Sequence, residues 1–409
     1  MSFVVTKAPY RISFFGGGTD YPDWYRAEGG QVLSTAIDRY CYVTCRYFPE
    51  FFRPQHRIVW SIAESVNSIT EIRHPAVREA LMMLGFDDSR GLDVNYHGDL
   101  PARTGMASSS AFAAALIQAL TVLKGGELSH TDLYRSATVL EQEYLGENVG
   151  SQDQIAVSCG GMNHIRFGPG DDIEITPFEL DGRRKQALKD HLMLFFLGRT
   201  RLASDIAGEV IANIGHRKSE LRQIGNHVDV ATEILKGSGD LTDFGKLLHE
   251  TWQLKRQLGN SVSNDTVDQI YDHARNHGAI GGKLLGAGGT GFMLFFVPPE
   301  SQPWFPGIRS RPKDAFMCRP AVLHPESRGE IKLKSADPRD KVAIHQNFLS
   351  EEKDWQTLRT GFDMVRDVAN QKPLDAFRGP EIQPGAHVTS QADIDAYIRR
   401  TAWTVHHPL

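Results

Sequence analysis

The chain has 409 residues, 41% hydrophobic and 23% charged, with a formal net charge of −5; this is a globular composition with room for two or three domains. No long run of one sign suggests a nucleic-acid footprint, residues 1–11 lack the apolar core and cleavage site of a signal peptide, and no apolar stretch reaches membrane-spanning length. Cys41, Cys45, Cys159 and Cys318 form neither a CxxC pair nor a disulfide framework, so the expectation is a cytoplasmic enzyme without a nucleic-acid or membrane partner.

In chain order, Val4–Thr6, Gln31–Ala36 and Arg39–Tyr47 read as strands, with the turn Gly16-Gly17-Gly18-Thr19-Asp20 between the first two. His74–Leu84 has helical spacing and Leu92–His97 alternates like a strand. Pro101–Ser110 is a loop that runs into Ala111–Leu123, an almost pure run of helix formers. Helical spacing continues over Thr131–Leu145, and a Gly/Asn-rich turn leads to Ser151-Gln152-Asp153-Gln154. His191–Leu197 has the pattern of a buried strand. Asp205–Gly237 and Leu241–Leu258 carry long amphipathic periodicity, and Ile280–Val297 is a glycine loop followed by an apolar strand. Irregular alternation of strands and helices argues for an α+β fold. Texture changes after Val297-Pro298-Pro299-Glu300, where prolines crowd residues 301–320. Beyond them Arg328–Leu333 resembles a strand, and Ser350–Asn370 and Ser390–Val405 resemble helices.

Three features carry chemistry. In Leu100-Pro101-Ala102-Arg103-Thr104-Gly105-Met106-Ala107-Ser108-Ser109-Ser110, small residues let backbone amides approach an anion. A helix starting near Ser110 would aim its positive end at the same spot, and serine hydroxyls there can cap the helix or ligate Mg²⁺. Asp153, with Glu141 and Glu143 upstream on a helix, offers a proton acceptor for a substrate hydroxyl and a metal-holding carboxylate. Gly286-Ala287-Gly288-Gly289-Thr290-Gly291 matches GxGxxG, but it opens a strand, Phe292–Phe296, rather than a helix, which excludes the dinucleotide reading. Gly282-Lys283 is followed by Leu284, so there is no Walker loop either.

Taken in order, Arg11–Asp20, Pro101–Ala111 and Lys283–Gly291 resemble the three motifs of the GHMP kinases, and the D-glycero-D-manno-heptose 7-phosphate kinases among them. The likeness extends through Ala8–Phe14, residues 150–154 and 282–289, from Ser2 to about Glu300. It implies a two-domain kinase, with a ribosomal protein S5 domain 2-like fold over residues 1–180 and a ferredoxin-like fold, apparently truncated, over 181–300. It also implies ATP as phosphoryl donor, Mg²⁺ as cofactor and a sugar phosphate as acceptor, with a homodimer open as an assembly state. By this resemblance Asp153 is the catalytic aspartate and Arg11 the basic residue beside it. Ser109 and Glu141 hold Mg²⁺, with Glu143 the alternative register. Pro101, Arg103, Gly105, Met106, Ala107, Ser108, Ser109 and Ser110 cradle the nucleotide, supported by Gly288 and Gly289. Gly17, Gly18, Thr19 and Asp20 face the sugar, the two glycines leaving room for a bulky one. Arg199, Arg201 and Lys283 are candidate ligands of the sugar's own phosphate, chosen for charge and loop position.

Two positions depart from the family pattern. Met106-Ala107 stands where Leu-Gly or Leu-Ser is usual; Ala107 prefers negative φ, which implies a displaced cradle. Thr290 replaces a glycine of the third motif. After residue 300 the resemblance changes: Pro325–Gly329, Ser335–Asp340 and Thr404–Leu409 resemble the substrate domain of the glucose–methanol–choline (GMC) flavin oxidoreductases. Its catalytic histidine falls on His407. No flavin fingerprint precedes it, so residues 301–409 are expected to be an α+β fragment without redox chemistry. GHMP folds end with a further helix and strand where this chain changes texture, and their loss would expose a sheet edge. The leading expectation is an ATP-dependent kinase acting on a phosphorylated heptose, the anomeric hydroxyl being the acceptor. A kinase-like fusion that binds nucleotide without turnover is the rival, and a GMC-type alcohol dehydrogenase the third reading.

Overall fold

The computed structural model describes residues 3–49, 51, 55–198, 203–302, 316–337, 340 and 342–402. The chain divides into two compact units, Met1–Pro298 and Pro299–Leu409. Arg199, Arg201 and His407 lie outside the described residues.

The first unit opens with β1 (Phe3–Phe15), α1 (Pro22–Glu28) and β2 (Gly30–Tyr47), followed by β3 (His56–Val59), β4 (Ala63–Val66), α2 (Pro75–Met83) and β5 (Leu92–Gly98). Then come α3 (Ser108–Leu123), α4 (His130–Val139), α5 (Gln152–Cys159), β6 (Met162–Phe167) and β7 (Ile173–Pro177). Among the described residues these strands form one seven-stranded sheet in the order β4-β3-β5-β2-β6-β7, with β1 paired to β2. The pair read from sequence as two strands is a single β2. Its first half, Gly30–Thr35, pairs with β6 and its second half, Cys41–Tyr47, with β5. Strand β1 runs antiparallel to both halves, with register irregularities between Pro9 and Arg11 and between Ser13 and Phe15. Such irregularities re-aim side chains, and Arg11 sits between them.

Helix α3 lies on this sheet, and its run of small residues explains the close fit. Ala111, Ala113, Ala114, Ala115, Leu116, Ile117 and Ala119 are all at most 2% exposed. It begins at Ser108, three residues earlier than its apolar run suggests. Helix α4 does not continue smoothly to Leu145: it gives way to a π-turn, Leu140–Tyr144, a local widening that frequently marks a functional position.

The remainder of this unit holds α6 (Gly182–His191), β8 (Leu192–Phe196), α7 (Ala203–Asn213), α8 (Lys218–Lys236), α9 (Thr242–Arg256), α10 (Asp265–Asn276), β9 (Gly281–Leu284) and β10 (Phe292–Phe296). Its strands form an antiparallel sheet, β8-β10-β9. The central strand is buried, with Phe296 fully enclosed. Strand β8, whose sequence pattern suggested burial, is instead an edge, and Leu194, Phe195 and Phe196 are 42%, 51% and 38% exposed. An apolar edge with open main-chain groups is a pairing liability.

The second unit contains β11 (Glu330–Lys332), β12 (Ala343–His345), α11 (Glu352–Ala369) and α12 (Gln391–Thr401). Its small core is Trp355, Phe362, Val388, Ile394 and Ile398. No helix among the described residues is long and apolar enough to cross a membrane.

Candidate active site

The first turn of α3 is the structural centre of the site. Ala107, the residue before it, has φ +61° and ψ +37°, and no side chain caps the helix. The sequence expectation of negative φ at Ala107 is therefore corrected: the left-handed turn is kept, at a cost of about 1–2 kcal/mol for a residue with a Cβ. That turn lets the chain arrive with its amides pointing out of the helix end, where unsatisfied N–H groups and the dipole favour an anion. The serines do not cap. Ser108 Oγ accepts from the Arg103 amide at 3.0 Å, Ser110 Oγ donates to Glu141 Oε2 at 2.7 Å, and Ser109 Oγ donates to Glu141 Oε1.

Glu141 sits in the π-turn and is 1% exposed against the serines of α3, whereas Glu143, the alternative register, is exposed. Burial pushes its carboxyl up to about 7, against the lowering effect of hydrogen bonds from Ser109, Ser110 and Gln154. Gln154 Nε2 donates to Glu141 Oε2 at 2.6 Å. Its neighbour Asp153, in the same first turn of α5, takes a two-pronged ion pair from Arg11: Nε to Oδ1 at 2.8 Å and Nη2 to Oδ2 at 2.7 Å. Arg11 is 2% exposed and Asp153 27%. A third guanidinium bond, Nη1 to the Gly105 carbonyl at 2.7 Å, and a backbone bond from Arg11 N to Met106 O at 3.2 Å lock β1 onto the Pro101–Ser110 loop. One helical turn of α5 thus carries both the carboxylate gripped by Arg11 and the amide bonded to Glu141.

The glycine-rich turn after β1 folds inward. Asp20 is 2% exposed; Oδ1 accepts from Gly18 N at 2.9 Å and Oδ2 from Gln152 N at 3.4 Å. Burial, then the neighbouring Asp153 charge, raises its carboxyl above the usual range. Thr19 Oγ1 donates to the carbonyls of Gly16 and Gln31. Both residues, expected to face the sugar, brace the glycine turn and, through Asp20, its junction with α5. Gly17 has space for a Cβ, but Gly18, at φ +106°, faces Leu221 and Leu258 at 3.3 and 3.4 Å. A Cβ would thus be accommodated at Gly17 and crowded at Gly18.

The third loop packs backbone to backbone. A Cβ on Gly286 would lie 2.5 Å from Gly105 Cα, and one on Gly291 2.4 Å from the Thr104 carbonyl. Gly288 faces Val262, and Gly289 donates its amide to Val262 O at 2.9 Å. These glycines permit interlocking of main chains, and Gly288 and Gly289, expected at the nucleotide, pack on Val262. Pro101 and Arg103 are exposed at the rim.

Lys283 is not free to hold a phosphate. It is 3% exposed, its Nζ donates to Phe14 O at 3.0 Å, and burial lowers its ammonium well below the ordinary value. A second buried lysine, Lys255 on α9, escaped the sequence reading. Burial and then the Arg11 charge push it down to about 7. Its signal was positional: it continues the stripe Phe244, Leu248, Thr251, Trp252, all at most 1% exposed.

The donor set of Ser109 and Glu141 is hard oxygen, which fits Mg²⁺; that ion typically takes one or two carboxylates and completes its shell with water and substrate phosphate. Among the described residues no group of three or more His, Cys, Asp or Glu gathers as a metal cluster.

Comparison with known proteins gives three family matches: GHMP kinases N terminal domain over residues 70–161, GHMP kinases C terminal over 230–303, and GMC oxidoreductase over 325–409. A D-glycero-alpha-D-manno-heptose 7-phosphate kinase of Campylobacter jejuni is 27% identical over 324 residues, covering 74% of this chain and 91% of that protein. The solved structure of a D-glycero-D-manno-heptose 1-phosphate kinase from Bacteriodes thetaiotaomicron superposes with a TM-score of 0.57 at 22% identity, over 72% of this chain and 88% of that one. The tail is 40% identical over 102 residues to an oxygen-dependent choline dehydrogenase of Pseudomonas aeruginosa, covering 25% of this chain and only 18% of that enzyme. The chain therefore carries, in order, matches to the N- and C-terminal domains of the GHMP kinases, a group of phosphotransferases, and to a GMC oxidoreductase domain.

Proposed function

We propose that the first unit transfers the γ-phosphoryl group of ATP to the anomeric hydroxyl of D-glycero-D-manno-heptose 7-phosphate. The observation that carries this is the Arg11–Asp153 ion pair beside the uncapped first turn of α3. The amides of that turn, with Pro101–Ser110 around them, receive the nucleotide phosphates. Asp153, partly exposed, accepts the proton of the attacking sugar hydroxyl as its oxygen bonds to the γ-phosphorus and the bond to ADP breaks. Arg11 holds that carboxylate in one orientation, its fork fixed by the Gly105 carbonyl. Mg²⁺ held by Ser109 and Glu141 would neutralise charge on the transferring phosphates. Catalysis is then mainly positioning and electrostatic stabilisation. With Lys283 engaged at Phe14, Arg199 and Arg201 are the remaining proposed ligands of the sugar's 7-phosphate.

The heptose is chosen over other sugars because the heptose kinase of Campylobacter jejuni aligns over 91% of its own length; Gly17, where a Cβ would meet Gln152 and Ser13 only in ordinary contact, is compatible with it. A coupled ADP-release assay with the full chain, ATP and Mg²⁺ tests the reading against heptose 7-phosphate, fucose and galactose. Turnover highest on the heptose supports it. Turnover only on fucose or galactose would reject the substrate and keep the kinase.

A further inference from the structure

Behind the Arg11–Asp153 pair lies a buried charge layer that the proposed chemistry does not use. Lys255, 7% exposed, points its ammonium between two carbonyls of the third loop: Nζ donates to Leu284 O at 3.0 Å and to Gly286 O. Gly286 packs directly on Gly105, and a Cβ on Gly105 would in turn fall 2.4 Å from the Leu285 carbonyl. Phe292 N donates to Thr104 O at 3.1 Å, fastening the far end of the same loop. The Gly105 carbonyl receives Arg11 Nη1, and Arg11 grips Asp153. An unbroken path of contacts therefore runs from Lys255 through Gly286, Gly105 and Arg11 to Asp153.

We propose that Lys255 is a positioning residue for phosphoryl transfer, pinning the glycine loop so that the Gly105 carbonyl holds the Arg11 guanidinium in register with Asp153. This rests on the kinase reading above. A lysine placed only for stability has little reason to be buried there, because an apolar side chain of similar volume generally does as well or better. The charged groups that act on it are Arg11 from β1, Asp20 from the turn after β1, Asp153 from α5 and Lys283 from β9. Two carboxylates and two cations surround it, so its own charge alters the field at Asp153. With its ammonium pushed down to about 7 by burial, that charge is present below neutrality and lost as pH rises.

The test uses the full chain and the variants Lys255→Met and Lys255→Arg. Lys255→Met is expected to lower kcat by about 10- to 100-fold, the scale of a small misplacement of reacting groups, with the sugar KM little changed and the thermal midpoint equal or higher. The wild-type rate is expected to fall as pH rises through about 7, and Lys255→Arg, charged throughout, to remove that limb. Hydrogen exchange of the Gly286–Gly291 amides in Lys255→Met is expected to quicken at least about tenfold, because the loop loses its clamp. Turnover of Lys255→Met within about twofold of wild type, or a limb that persists in Lys255→Arg, overturns the proposal. If Lys255→Met does not fold, the Lys255→Arg profile decides alone. Quickened loop exchange without wild-type turnover on any sugar keeps the clamp and rejects the kinase reading, so the two failures are distinguishable.

Discussion

Glu141→Gln separates stability from function at a single buried atom. The wild-type carboxyl is 1% exposed and titrates at about 7 in place of 4.5 because burial penalises its charge. The amide keeps the local bonds: its oxygen accepts from Gln154 Nε2 and Ser110, and its nitrogen donates to Ser109 Oγ, whose hydroxyl can turn to accept. Below pH 4.5 the wild-type carboxyl is protonated in folded and unfolded chains alike and costs nothing. Between 4.5 and about 7 the unfolded chain ionises while the folded one holds its proton, so wild-type stability falls as pH rises. At ~1.4 kcal/mol per factor of ten, ionising this site by pH 8 costs up to ~3 kcal/mol. Urea unfolding followed by the fluorescence of buried Trp24 and Trp252 should therefore show Glu141→Gln more stable than wild type by about 1–3 kcal/mol at pH 8 without Mg²⁺. Most of that gain should vanish at pH 5, while turnover falls at least about 100-fold. A variant less stable than wild type at pH 8, or a difference independent of pH, would refute the reasoning.

Other perturbations follow from the loop geometry. Gly105→Ala places a Cβ 2.4 Å from the Leu285 carbonyl at a backbone φ of +78°, and a loss of about 2–4 kcal/mol in denaturant unfolding is expected. Ala107→Gly removes the left-handed penalty at φ +61°, so a gain of about 1 kcal/mol in the same measurement is expected. Arg11→Lys replaces a three-bond fork by a single ammonium; a kcat reduced about 100-fold or more, with the ATP KM changed less, is expected in steady-state kinetics.

The parts of the site legible in the sequence were those written in local chemistry. Gly105 and Ser108–Ser110 announce an anion-binding helix start, and Asp153 and Glu141 fall within a dozen residues of one another. The left-handed Ala107 was not legible, because the residues before it are held from outside, Gly105 by Gly286 and Met106 by Arg11, rather than by local preference. Nor was the π-turn at Leu140, whose sequence keeps ordinary helical spacing while its widened turn carries Glu141 inward. The burial of Asp20 and Lys283, expected to face the sugar and its phosphate, was not legible because burial is a property of the assembled sheets. Lys255 carried a readable clue as a charge on the apolar stripe of α9, yet only the packing of β9 against that helix reveals what it holds. In the fold, β10 was visible as an apolar run, but its pairing partner β8 looked the same and is an exposed edge. Periodicity alone cannot distinguish a covered strand from an uncovered one.

In the proposed reaction Asp153 receives a proton from a sugar hydroxyl while ATP is cleaved. Coupled turnover of the full chain on heptose 7-phosphate, ATP and Mg²⁺, set beside Asp153→Asn, measures that claim. The account predicts wild-type turnover at least about 100-fold above the variant, with nucleotide affinity nearly equal in the two. Wild-type turnover no higher than that of Asp153→Asn, on this or any sugar of the panel, would contradict it.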